Sequence, residues 1–563
     1  MTEVSLNKTV HQSQYGPHPL SRPPMVCGNH PARIRMTEPI DFETAAVMNA
    51  PSSRGETGSG APLRPSWSYG GELRLDDSTP RTLTDSLEAA AKHDNGIWFM
   101  RRDGSERFCR YAELRQIAAH IGGGLALFGI KPGDAVLLQC DTPESFLTAF
   151  WACQWAGAIP SPVAVAQTYE RPNSVLDRLA KAWQVLGQPV VLTTQNLFEP
   201  LQRWKQWSGN GGVRLLTLEN LTDGSPLAAP LERAPEDIAL IMLTSGSTGI
   251  PKGVGLTHRN LICRSAASRQ MNGFRASDVA LNWMPLDHVA GLIYFHLRDV
   301  FLACREIQIP TSMILENPLR WLEAIERHRV TITFAPNFAF GLINERAEDI
   351  ARRHWDLRSL RWLLNGAEPI VARTARRFLQ LLVPHGLRPD AMHPAWGMSE
   401  TASGVTYSDR FNLESTRDED PFVEVGLPIP GFAMRIVDQN DCVVPEGTIG
   451  RLQVSGLTVM QGYLGQEEAN REAFTPDGWF KTGDLGLLRD GRLTITGREK
   501  EVIIINSVNY YSHEIESAVE QLSGIQSSFT AACAVRDGKG DTDRLAVFFS
   551  PADWNPDRIR ELV

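Results

Sequence analysis

From Thr82 onward, short apolar runs alternate with longer stretches whose apolar residues recur at helical spacing. Leu83 to Lys92 and Tyr111 to Phe128 read as helices, whereas Ile97-Trp98-Phe99-Met100 and Ala135-Val136-Leu137-Leu138-Gln139 read as strands. The most apolar stretch, Phe146 to Ala166, contains Gln154, Gly157, Pro160 and Pro162. Those residues interrupt any single helix of the ~20 residues needed to cross a bilayer, so the stretch predicts a buried helix followed by a buried strand. Helices alternating with short apolar strands predict an α/β fold, with a large N-terminal domain of covered, mostly parallel sheets.

Both ends of the chain depart from this pattern. Residues 1–80 are rich in Pro, Ser, Gly and His without a sustained apolar period, which predicts a mostly disordered segment. Near residue 497, the hairpin-like Gly491 to Arg498 gives way to charged Glu499-Lys500-Glu501 and then to strand-like Val502-Ile503-Ile504-Ile505. A short charged connector between strands suits a hinge at Lys500, dividing a large domain (81–497) from a small α+β domain (498–563). The small domain is expected to hold a helix from His513 to Leu522, strands near Phe529 to Val535 and Leu545 to Ser550, and a helix from Pro556. The sequence ends inside that helix, so the domain reads as truncated and the chain as a piece of a longer polypeptide.

A length of 563 residues is too great for one core and leaves ample material for an enzyme. With 56 Lys+Arg against 65 Asp+Glu and no long basic run, nucleic acid is not an expected partner. No apolar leader follows a basic start, and no membrane partner is expected. Eight scattered cysteines, without a C-x-x-C pair or a close Cys/His set, suit a reducing, cytoplasmic location and argue against structural zinc.

The chemistry is most legible in Thr244-Ser245-Gly246-Ser247-Thr248-Gly249-Ile250-Pro251-Lys252-Gly253, directly after the apolar run Ile238 to Leu243. Glycines let backbone N–H groups converge on anionic oxygens, hydroxyls add donors, and Lys252 supplies positive charge, a set suited to polyphosphate. A Walker A loop would need Gly-Lys-Ser/Thr opening a helix, whereas Lys252 lies between Pro251 and Gly253.

On this loop, and on Trp396-Gly397-Met398-Ser399-Glu400-Thr401, Asn365-Gly366-Ala367-Glu368-Pro369 and Gly478 to Gly486, the chain resembles the acyl-adenylate-forming superfamily from about residue 80 to its end. Within that superfamily it looks closest to fatty acyl-AMP ligases and loading domains of polyketide and nonribosomal peptide synthases. The resemblance implies ATP and Mg²⁺ as cofactors. It implies that Trp396, Gly397 and Met398 lie by the nucleotide, that Ser399 keeps a hydroxyl near the α-phosphate, and that Glu400 with Thr244 binds Mg²⁺. Gly366, Ala367 and Glu368 would form the adenine-side loop. Asp484 would receive the ribose hydroxyls on its two acceptor oxygens, beside Arg498. A second catalytic lysine is implied beyond Val563.

Asn282-Trp283-Met284-Pro285-Leu286-Asp287-His288-Val289-Ala290-Gly291 resembles the segment that closes over the acid, with His288 as gate and catalytic residue. With it, Val289, Gly291, Asn337, Phe338 and Gly366 would line the acid pocket. Amino-acid-activating relatives carry an aspartate one position beyond the gate, where this chain has Val289. A buried ammonium without a counter-charge is costly, so a non-amino carboxylic acid is expected, although shifting the alignment by two would bring Asp287 to that place. The resemblance also implies transfer of the acyl group to the phosphopantetheine of a carrier-protein domain, probed by Ser507 where CoA-using relatives commonly have glycine. A stand-alone acyl-CoA synthetase is the enzymatic alternative. A non-catalytic nucleotide-binding scaffold would be expected to lack Lys252, Glu400 or Asp484, and all are present.

Overall fold

A computed structural model describes residues 64–222, 225–244, 251–505, 508–520, 522–535 and 544–551. Its centre is a 14-stranded sheet. One half runs parallel through Gly96–Met100, Arg305–Gln308, Val279–Asn282, Ile332–Ala335, Trp362–Asn365 and Met392–Met398. From Met392–Met398 the pairing turns antiparallel through Ser403–Tyr407, Glu424–Pro428, Arg492–Arg498, Phe480–Arg489, Gly450–Gly456 and Phe432–Val437. A second, four-stranded parallel sheet contains Ile159–Pro162, Ala135–Gln139, Val190–Thr193 and Leu215–Thr217.

The α/β expectation holds, but the large sheet is mixed rather than mostly parallel. Its parallel strands are continuous apolar runs because both faces are covered: Val279–Asn282, Ile332–Ala335 and Trp362–Asn365 are buried at every position. The antiparallel half is joined partly by tight connections, such as the hairpin between Phe480–Arg489 and Arg492–Arg498, which helix–strand alternation does not reveal.

Several predicted elements appear with small shifts at their ends. Helices cover Leu83–Ala90 and Tyr111–Leu127, and strands cover Gly96–Met100 and Ala135–Gln139. The first helix starts at a reciprocal cap: Thr82 Oγ1 accepts from Asp85 N–H (3.2 Å), and the Asp85 carboxylate accepts from Thr82 N–H (2.9 Å). The apolar stretch becomes the helix Pro143–Trp155, with proline in its first turn, followed by the strand Ile159–Pro162. Among the described residues no helix is long and apolar enough to cross a membrane.

The expected disordered segment falls mainly outside the described residues. Within it, Trp67–Tyr69 is a strand at the edge of the large sheet, paired antiparallel with Ala433–Arg435. A three-residue strand is too short for apolar alternation to register, so ordered chain begins before the expected residue 80. At the other end, the hairpin Val502–Ile505/Val508–Tyr511, the helix Ser512–Glu520 and the paired strands Ile525–Val535 and Arg544–Pro551 follow the charged turn Glu499–Glu501. The helix expected from Pro556 lies outside the described residues.

Candidate active site

The motifs read from sequence converge because they follow the carboxyl ends of neighbouring parallel strands. Val279–Asn282 leads into the gate segment, Ile332–Ala335 into Asn337 and Phe338, and Trp362–Asn365 into Gly366 and Ala367, while Met392–Met398 carries Trp396 to Met398 itself. In open α/β sheets the crevice beyond those ends is where ligands bind. Here it is a cavity of about 890 Å³ lined by Thr244, Lys252, His288, Val289, Gly366, Ala367, Trp396 to Glu400, Arg498 and Lys500, among others. Its charged lining comprises Arg178, Lys252, Lys481, Arg498 and Lys500 against Glu400, Glu472 and Glu499, an excess of positive charge that suits a polyphosphate.

Thr244 and Lys252 face each other as the register pair next to the connecting segment of an antiparallel hairpin, Ile238–Thr244 with Lys252–Thr257. Ser245, Gly246, Ser247, Thr248 and Gly249 lie outside the described residues. Lys252 Nζ sits 4.4 Å from the centroid of the Tyr463 ring. Tyr463 reaches it because Tyr463 bridges to Val254 and Leu464 N–H donates to Gly253 O (2.9 Å). The Tyr463 hydroxyl in turn donates to Glu400 Oε1 (2.9 Å). Sequence reading missed Tyr463, since only this long-range pairing brings it between the lysine and the carboxylate.

Glu400 is nearly enclosed, at 5% exposure, on the short turn Ser399–Thr401. Burial pushes its carboxyl above the usual glutamate range, against the opposing pull of the Tyr463 hydrogen bond, Lys252 and Arg498. The backbone around it is held in unusual conformations: Ala402 (φ 54°), Ser403 (φ 92°) and Ala367 (φ 69°) are all left-handed without being glycine. Such strain costs about 1–3 kcal/mol per residue and is retained where the surrounding structure over-determines it. A side chain at Gly397 would meet Ser403 O at 2.1 Å, so only glycine permits the bulged pairing of Met392–Met398 with Ser403–Tyr407.

Trp396 Nε1 donates to Asp484 Oδ2 (2.8 Å) and Arg498 Nε to Asp484 Oδ1 (3.1 Å), while Asp484 N–H donates to Thr482 Oγ1 (3.0 Å). Asp484 and Arg498 are register partners on adjacent strands. A carboxylate offers two acceptor oxygens, and here both are engaged by side chains of the site. Thr482 and Gly483, beside it, line the cavity, whereas Asp484 itself is not among the lining residues.

At the acid end, His288 Nδ1 accepts from Ala290 N–H (3.1 Å), which leaves the proton of the neutral ring on Nε2, a donor. His288 stays exposed, but the protein around it lowers its pKa against the opposing pull of Asp287, which favours the neutral form at neutral pH. Val289 is buried and lines the cavity, as do Ala290, Tyr294, Phe334, Leu364 and Ala395, whereas Asp287 is not among the lining residues.

Other expected pocket residues serve the wall behind it. Gly291 is a packing position, where a side chain would meet Pro285 O at 2.2 Å. Glu368 Oε1 accepts from Phe338 N–H (2.6 Å) at the start of the helix Asn337–Asn344, a favourable place for an anion. Asn337 Oδ1 accepts from Val371 N–H (3.1 Å). Gly291, Asn337, Phe338 and Glu368 are thus absent from the cavity lining, because loop-to-loop contacts occupy them. Arg178, from the helix Ser174–Val185 beside the second sheet, does line it and was not expected.

Comparison with known proteins agrees with this geometry. The AMP-binding enzyme family matches residues 87–464. Nonribosomal peptide synthetase apvA of Aspergillus terreus (strain NIH 2624 / FGSC A1156) is 33% identical over 84% of this chain and 52% of its own length. The chain therefore spans about half the length of the curated relatives it matches. A McyG A-PCP structure complexed with phenylalanyl-adenylate is 41% identical, with a TM-score of 0.84, over 88% of this chain and 78% of that one. The adenylation domain of a keto acid-selecting NRPS module, bound to keto acyl adenylate, is 37% identical with a TM-score of 0.77, over 88% and 92% of the two chains. A fatty acyl-adenylate ligase structure, from work on the E. coli and L. pneumophila enzymes, is more distant at 27% identity, over 87% and 91% of the two chains with a TM-score of 0.77. The nearer likeness is thus to synthetase adenylation domains. By family match, sequence identity and shared fold, the chain belongs to the AMP-binding enzyme family and is an adenylation domain, an ATP-dependent acid-adenylating ligase.

Proposed function

We propose that this domain activates a non-amino carboxylic acid with an apolar body and loads it onto a carrier-protein phosphopantetheine. The observation that carries the first half is the pair Val289 and Asp287: the valine lines the cavity and the aspartate does not. The two solved relatives differ in the acid they hold, one a phenylalanyl and one a keto acyl adenylate, so overall likeness does not choose between them. The wall does. An ammonium group facing Val289 would lose water without gaining a counter-charge, whereas a keto, aryl or fatty acid brings no such cost. The support for carrier loading is similarity to multidomain synthetases and to the A-PCP complex.

In this reading ATP lies with its ribose on Asp484 and Arg498 and its adenine beside Trp396, Gly366 and Ala367. Lys252 meets the β/γ-phosphates, and His288 Nε2 donates to the acid carboxylate. The acid oxygen attacks the α-phosphorus, pyrophosphate leaves, and the fixed cations neutralise the charge that develops. Glu400 and Thr244 both line the cavity, and one carboxylate with a hydroxyl fits Mg²⁺, which is commonly bound by one or two carboxylates plus substrate phosphates. When bound, the ion would neutralise phosphate charge. Lys500 would act as the hinge between residues 81–497 and 498–563.

Thioester formation tests the acceptor. With ATP, Mg²⁺ and acid, acyl transfer is expected to a phosphopantetheine-bearing carrier domain and not to free CoA. Equal rates on CoA would favour a stand-alone acyl-CoA synthetase, and nucleotide binding without AMP release would favour a scaffold.

The raised pKa of Glu400 gives a pH signature. A carboxyl with a raised pKa protonates at a higher pH than free glutamate, so its metal affinity is lost earlier on acidification. Exchange between ATP and pyrophosphate should therefore fall on the acid side, and raising Mg²⁺ should move that limb to lower pH because the ion competes with the proton. A limb insensitive to Mg²⁺ would mean that another group titrates.

A further inference from the structure

The gate segment does not hold itself in place. Asn282, wholly buried at the end of its strand, touches both ends of it: Oδ1 accepts from Met284 N–H (2.9 Å) and Nδ2 donates to Gly291 O (3.1 Å). Because one backbone partner can only donate and the other can only accept, these contacts fix the orientation of the amide. The second Nδ2 hydrogen donates to Gln308 Oε1 (3.1 Å), and Gln308 Nε2 donates to Glu306 Oε1. Glu306 Oε2 meets His296 Nδ1 (2.8 Å), and Trp151 Nε1 donates to His296 Nε2 (2.7 Å). The tryptophan can only donate, so His296 carries its proton on Nδ1 and gives it to the glutamate.

His296 lies on the π-helix Ala290–Leu297 that continues directly from His288 and Val289. The contacts therefore close a ring, running from Asn282 to Gly291, along the π-helix to His296, and back through Glu306 and Gln308. Asn282, Glu306, His296 and Gln308 are all at most 1% exposed. A π-helix is a rare, strained register that occurs often at functional sites, and here it carries the cavity-lining Ala290 and Tyr294.

We infer that Asn282 is a positioning residue for acid selection, acting through His288 and Val289. The ring through Gln308, Glu306 and His296 holds the asparagine so that the gate and the π-helix keep one register. None of Asn282, Gln308, Glu306 and His296 lines the cavity. The inference rests on the adenylation reading above for its link to acid choice, but the clamp itself can be tested without turnover.

Amide hydrogen exchange in the full chain tests the clamp. Asn282→Ala should speed exchange in the peptide covering residues 284–295 by about tenfold or more, leaving Gly450–Gly456 unchanged. Kinetics test its use. The KM for the acid should rise about tenfold or more with the KM for ATP within about twofold, and the preference between acids should relax. In a His288→Ala background the same substitution should cost less than in the native background, because both act on one gate. If Asn282→Ala does not fold, Gln308→Met opens the ring one link away and should give the same pattern more weakly. Unchanged exchange in 284–295, parallel rises in both KM values, or additive losses with His288→Ala would each overturn the inference. Absence of acid-dependent pyrophosphate exchange in the unmodified chain would instead overturn the adenylation reading, leaving the amide result to judge the clamp.

Discussion

Glu400→Gln should lower pyrophosphate exchange by about a hundred- to a thousandfold, the loss typical when one preorganised charged contact to a transition state is removed. The substitution keeps the side-chain length and an oxygen able to accept from the Tyr463 hydroxyl, but it removes the charge. Burial already disfavours that charge, so the folded protein has no need of it for stability, and the melting temperature should hold or rise. Loss of activity together with a lowered melting temperature would make Glu400 structural. Exchange within about threefold of the native rate would remove it from the machinery.

Val289→Asp is the second large expectation. Position 289 is buried on the cavity wall, so the new carboxylate should cost some stability in the free enzyme, and a melting curve checks that the variant folds. Once a non-amino acid fills the pocket, the charge is enclosed without a partner, at a cost of about 3–5 kcal/mol, or roughly two to three orders of magnitude in kcat/KM. The matched α-amino acid, bringing an ammonium to the same place, should gain. Parallel losses for both acids would mean that position 289 does not face the α-carbon, and Asp287 would then regain its claim.

Much of this was readable from residue order because local rules governed it. The strand Ala135–Gln139 and the helix beginning at Tyr111 fall where periodicity puts them, and Lys252, Trp396 and Glu400 reach the cavity from contiguous motifs. What sequence could not supply was pairing at a distance. Tyr463 joins Lys252 to Glu400 only because its segment bridges to Val254. Arg178 arrives from a helix beside the other sheet, and nothing in its own neighbourhood marks it. Glu368 and Asn337 hold backbone N–H groups of neighbouring loops, and a carboxylate or amide near a ligand loop looks the same in sequence whether it meets the ligand or braces the loop. Asn282 lies within the gate motif, but its hold on both ends of that motif appears only when Gly291 folds back onto it.

The central claim is that the cavity selects an acid without an α-amine, and ATP–pyrophosphate exchange with matched pairs measures it most directly. Each pair shares a side chain and differs only at the α-carbon: an amino acid, its keto counterpart and its unsubstituted counterpart. The account predicts faster exchange, by kcat/KM, with the keto or unsubstituted member of every aryl and aliphatic pair. Faster exchange with the amino member would contradict it.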